Sequence, residues 1–266
     1  MTLKTLSRLF IVFILGVGVT ACQTAKVDPI GGARIGMVLM HGKGGTSNHI
    51  DSLADSLRGA GVLVETPLMP WGKGRIYDKT YDDSMLEIDA AVNRLKAKGA
   101  KRIVVGGHSL GANAALGYGA RRDGLAGVIL LAYGHVPSGR VFPSKLGSSI
   151  AKAKAMIDAG NGMKTAGFGD LNQGRTPSRS VRADIYYSWF APDGPASDKN
   201  NAGNVKNGTP VLWVSGTQDR VSEFGKGLIY SKIPSHPKNN FVVIQSNHIN
   251  TPRDSVKTVS GWLRGL

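Results

Sequence analysis

Six short apolar runs, separated by helix-patterned or polar stretches, constrain the fold more than any other feature of this sequence. They are Ile35 to Met40, Val62 to Pro67, Arg102 to Val105, Val128 to Leu131, Val211 to Val214 and Phe241 to Ile244. Most are near-continuous in Val, Ile, Leu or Met rather than alternating, which is the pattern of strands covered on both faces. Between them Met85, Ile88, Val92 and Leu95 recur at helical spacing until Gly99, and Val256, Val259 and Leu263 share one helical face at the end of the chain. Strands alternating with helices predict an α/β fold: a doubly wound, mostly parallel sheet with helices on both sides. The 266 residues fit one large domain, expected over 35–266.

One stretch breaks the rhythm. From about 136 to 207 the chain carries a helix-like segment, Ser148 to Ala159, followed by sequence rich in Gly, Pro and Ser. A connection this long inside a compact domain is expected to form a lid-like insertion before the penultimate strand. Tyr186, Tyr187, Trp189 and Phe190 lie within it and are expected to pin it by packing, since clustered aromatic rings first serve burial; the alternative is that they line an acyl or aromatic pocket.

The N-terminal segment reads differently. Lys4 and Arg8 precede an apolar run from Leu9 to Val19, which ends in small residues at Thr20-Ala21-Cys22. A basic start, an apolar stretch too short to span a bilayer and small residues after it form an export signal, expected over 1–21 with a linker over 22–34. Val19-Thr20-Ala21-Cys22 resembles the lipobox of bacterial lipoproteins, which implies cleavage before Cys22 and acylation of that cysteine, the only one in the chain. The resemblance implies a lipid-anchored protein of the bacterial cell envelope. Gln23 after the cysteine implies the outer membrane, facing the periplasm. With the signal removed the net charge falls from +15 to +13, because 1–21 holds two basic residues and no acidic one. The basic residues are spread along the chain without a nucleic-acid-binding motif, so no nucleic-acid partner is expected.

Gly107-His108-Ser109-Leu110-Gly111 fits G-x-S-x-G, with a predicted strand running into it and small residues Ala112 to Ala115 opening a helix after it. That context matters because a sharp strand-to-helix turn lifts the serine oxygen above the sheet, and the flanking glycines let the two backbones approach. From Ile35 to Leu266 the chain resembles the α/β-hydrolase superfamily, in a compact version similar to the dienelactone-hydrolase and cutinase types. The resemblance implies a serine nucleophile, Ser109, a base after the last strand, His248, and an acid after the preceding strand, Asp219. Asp193 and Asp198 are the alternatives for the acid. The backbone amide of Leu110 and one from His41-Gly42-Lys43-Gly44-Gly45 would form an oxyanion hole, with Lys43 assigned and Gly44 the alternative. His41 and His108 are expected to shape their loops, and Trp71 and the insertion to shape the pocket.

The expected activity is hydrolysis of a carboxylic ester, less readily an amide, on a small-molecule or lipid-like substrate through an acyl-enzyme. The alternatives are an acyltransferase using the same triad and a non-catalytic envelope lipoprotein binding an acyl group or glycan. No Gly-Lys-Ser/Thr closes the glycines at 42–45 and no zinc-ligand spacing appears, so neither a cofactor nor a metal is expected.

Overall fold

The computed structural model describes residues 30–266 apart from 33 and 173. The export signal, Cys22 and most of the expected linker lie outside the described residues. Six parallel strands form the central sheet: β1 (Ile35–Met40), β2 (Leu63–Glu65), β3 (Arg102–His108), β4 (Gly127–Leu131), β7 (Val211–Gly216) and β8 (Asn240–Ile244), in the order β2-β1-β3-β4-β7-β8. All six expected strands are present. The second is trimmed to three residues, the length over which it pairs with Gly36 to Val38 of β1.

Helix α1 (Asp51–Gly59) lies between β1 and β2, α2 (Tyr81–Ala97) and α3 (Leu110–Arg121) precede β3 and β4, and α8 (Thr251–Asp254) and α9 (Val256–Arg264) follow β8. Side-chain alternation along the strands divides the core between the two faces. Met37, Leu39, Val104, Ile129, Leu131, Leu212 and Val214 meet α1 and α9 on one side. Val38, Met40, Val105, Val128, Leu130 and Trp213 meet α2 and α3 on the other. The predicted stripe Met85, Ile88, Val92 and Leu95 is buried. Thr80 caps α2 by accepting from the Asp83 N–H, and acidic residues in its first turn and basic ones in its last suit the helix dipole.

The stretch between β4 and β7 holds its own elements: α4 (Val141–Asp158), a hairpin of β5 (Thr165–Gly169) and β6 (Ser178–Arg182), α5 (Ala183–Phe190) and α6 (Asp198–Gly203). Helix α7 (Arg220–Leu228) follows β7. The insertion shares a core with the α2/α3 side of the sheet. Trp189 packs edge-on against Trp71 and Tyr81, and Tyr186 stacks on Phe168 and Phe190. Of its four clustered aromatics, only Tyr187 is not fully buried. Their burial seats the insertion as a wall of the domain.

Candidate active site

The strand order reverses between β1 and β3, whose C-terminal ends therefore flank the crevice where open α/β sheets bind ligands. Ser109 leaves β3 with φ 58° and ψ −116° and α3 starts at the next residue. This backbone conformation is costly for a residue with a Cβ, so the surroundings must hold it. The Ser109 N–H donates to Leu131 O at 3.0 Å, and Ser109 O accepts from Gly134 N–H and Ala112 N–H. The two motif glycines are needed for closeness. A Cβ at Gly107 would overlap the Gly111 carbonyl, and one at Gly111 would lie 2.6 Å from His41 O.

His248 stands in the loop after β8, its Nε2 3.0 Å from Ser109 Oγ and its Nδ1 2.8 Å from Asp219 Oδ2. The three residues expected as a triad are thus brought together from positions 139 and 29 residues apart. The loops that carry Asp219 and His248 are stitched by Thr217 N–H to Ile244 O and Gln218 N–H to Ser246 O. A Cβ at Gly216 would strike Ser246 O, so that close approach also requires glycine. Asp198, an alternative acid, is buried elsewhere and accepts from the N–H and Oγ of Ser138.

The loop after β1 faces the serine. A Cβ on Gly42 would lie 3.3 Å from Ser109 Cβ. Gly44 N–H donates to Trp71 O and Gly45 N–H to Gly42 O, so both are engaged. The N–H groups of Lys43 and Leu110 have no acceptor among the described residues. His41 fixes the loop internally: its Nδ1–H donates to Gly42 O and its Nε2 accepts from Met69 N–H. Trp71, expected to shape the pocket, is instead completely buried behind this loop and donates from Nε1 to His41 O at 2.8 Å.

No protein-family model matches the chain, and no curated sequence matches it. Solved structures do. The monoacylglycerol lipase of Paleococcus ferrophilus superposes with a TM-score of 0.62 at 19% identity, covering 90% of this chain and 96% of that one. A thermostable carboxyl esterase of Bacillus coagulans, in complex with glycerol, gives 0.61 at 19% over 90% of both chains. Est1E of Butyrivibrio proteoclasticus, with ferulic acid bound, gives 0.58 at 19% over 88% of both. The fold is the α/β-hydrolase fold. These structural neighbours are lipases and esterases.

Two site neighbours escaped the sequence reading. Gly134 sits against the serine, and a Cβ there would lie 2.6 Å from Ser109 Oγ. A glycine after a strand is too common to signal this. The other is the role of His108, whose Nε2–H donates to His248 O at 2.8 Å and so braces the loop after β8. Its position inside the motif pointed to loop shaping, but no pattern names a carbonyl 140 residues away.

Burial, and then the nearby His248, push the His108 pKa down to about 4. Burial also lowers those of His41 and His135. Below about pH 6.5 the unfolded chain binds protons at these rings that the folded chain refuses, so stability is complete above about 6.5 and falls as pH drops, for His108 down to about 4. His108 alone accounts for about 3 kcal/mol of that fall, at about 1.4 kcal/mol per pH unit of displacement. Urea midpoints measured from pH 7 to pH 4.5 are expected to decline, and His108→Asn to flatten the slope. An unchanged slope in that variant would remove His108 as a source of acid sensitivity.

Proposed function

We propose that this chain is a serine hydrolase that cleaves a carboxylic ester through an acyl-enzyme. The observation that carries the reading is the relay Ser109 Oγ to His248 Nε2 at 3.0 Å and His248 Nδ1 to Asp219 Oδ2 at 2.8 Å, set on an α/β-hydrolase sheet. A serine hydroxyl is a weak nucleophile until a base accepts its proton. His248 Nε2 takes that proton as Oγ bonds to the ester carbonyl carbon. Asp219 accepts from Nδ1–H and so fixes the tautomer that leaves Nε2 free to act as base. The oxygen of the tetrahedral intermediate is met by the amides of Leu110 and Lys43, neither of which has an acceptor among the described residues. Its collapse expels the alkoxide, which leaves with the proton from His248. A water, deprotonated by the same imidazole, then attacks the acyl carbon and releases the acid.

Ester cleavage, rather than another acyl transfer, is favoured by neighbours described as a monoacylglycerol lipase and a carboxyl esterase. The same proposal places the protein in the bacterial envelope, exported by the segment 1–21 and anchored through acylated Cys22, a reading that rests on the amino-acid sequence. A fluorophosphonate probe is expected to label the wild-type chain and to leave Ser109→Ala unlabelled, with turnover of short acyl esters lost in the same variant. Equal labelling of the two chains would end the assignment of the nucleophile.

A further inference from the structure

Lys43 leaves the loop after β1 in an unexpected direction. Its side chain does not reach solvent but crosses into the insertion, where Nζ lies 2.5 Å from Asp170 Oδ1 and donates to Leu171 O at 2.8 Å. The pair is closed off from water, with side-chain exposures of 10% and 2%. The ammonium lies over the rings of Phe190 at 5.2 Å and Tyr77 at 5.7 Å. Asp170 is itself held, by its N–H donating to Pro177 O and by Arg179 Nε at 3.4 Å from Oδ2.

A buried ion pair among aromatic rings is a poor device for stability, because the desolvation of two charges offsets most of their attraction. An apolar pair of similar volume would serve the packing at least as well. What the ion pair supplies is direction: one carboxylate oxygen and one carbonyl fix Nζ at a single place. The backbone of Lys43 is meanwhile set between Gly42, which abuts Ser109, and Gly44, whose N–H is held by Trp71 O. The residue is thus clamped through its side chain on one side and through its neighbour's amide on the other. The amide between those clamps is the one that the proposed mechanism uses.

From this geometry we infer that the Lys43–Asp170 pair is a positioning device that ties the oxyanion loop to the β5–β6 hairpin of the insertion. The inference rests on the ester-hydrolase reading. Asp170 touches no reacting atom and acts through Lys43, whose N–H meets the developing oxyanion. The insertion is then part of the apparatus that sets transition-state affinity, through a residue 127 positions from the loop it orients.

The test compares the wild type with Lys43→Met/Asp170→Leu, an apolar replacement of the pair, and with Asp170→Asn, which keeps an oxygen acceptor on Nζ but no charge. Steady-state kinetics on a short acyl ester and the affinity of a trifluoromethyl ketone, which mimics the tetrahedral intermediate, are measured on each. Loss of one oxyanion donor costs about 10² to 10³ in rate, which sets the ceiling for its misplacement. The double variant is expected to fold and to lose about 10- to 100-fold in kcat, with KM within about twofold and ketone affinity weakened by the same factor as kcat/KM. Asp170→Asn is expected to lose less in the same pattern. A folded double variant with wild-type kcat, or a loss carried wholly by KM, overturns the inference. If the double variant does not fold, wild-type kcat in Asp170→Asn overturns it equally. A wild-type chain inert to both ester and fluorophosphonate would instead strike the hydrolase reading, so the two failures are distinct.

Discussion

Replacing His248 with alanine is expected to lower kcat on a short acyl ester by about 10⁶, the loss seen when the base is removed from a serine relay of this kind. Asp219→Asn is expected to cost less, about 10⁴, because the imidazole remains but its tautomer is no longer fixed. The ordering follows from the geometry. His248 is the imidazole in contact with Ser109 Oγ, at 3.0 Å, whereas Asp219 acts one bond further out through Nδ1. His108 cannot substitute for the base. Its ring centre lies 5.1 Å from that of His248, but its Nε2–H is committed to the His248 carbonyl and burial keeps it neutral. Both variants should keep KM near the wild-type value, since the lost interactions belong to the transition state. Kinetics of the purified variants decide the matter. A His248→Ala chain within tenfold of wild type would mean that another group takes the serine's proton.

The parts of this site that were legible in the sequence are those whose chemistry forces a local pattern. The strand-to-helix turn at Ser109 needs glycine at 107 and 111 because backbone meets backbone there, so the requirement is written in five consecutive residues. That Ser109, Asp219 and His248 would meet was legible because each follows a recognisable apolar strand. What was not legible is held together across the chain. The Lys43–Asp170 pair joins residues that no spacing connects, and a lysine in a glycine-rich loop reads as solvent-exposed. Helix α4 starts at Val141, earlier than the expected Ser148, with Pro143 and Gly147 reading as breakers. Pro143 falls in the first turn, where its missing N–H costs nothing, and burial of Phe142 and Leu146 outweighs the glycine. The hairpin β5–β6 carried no signal because, among the residues of its two strands, only Phe168 and Val181 are buried, too few to show a period of two.

Trp71→Ala is expected to produce the largest loss of stability of any single change near the site. The indole is completely buried, with its ring centre 5.4 Å from Trp189 and 5.9 Å from His41. Truncating a buried tryptophan costs about 3–5 kcal/mol from lost transfer energy and the cavity left behind. For a domain of this size that lowers the melting temperature by about 10 °C. The change also strips His41 O of its donor, since Trp71 Nε1 lies 2.8 Å from it. A buried acceptor without a partner costs about 1–3 kcal/mol and frees the start of the loop that faces Ser109. Trp71→Phe weighs the two effects differently, because it leaves a six-membered ring in the cavity, with a smaller void, while removing the donor. It is expected to melt only a few degrees below wild type yet to lose kcat, while Trp71→Ala loses both. Calorimetry and ester kinetics on the pair read this directly. If Trp71→Phe matched the wild type in kcat, the indole N–H would have no part in holding the loop, and Trp71 would count as core packing alone.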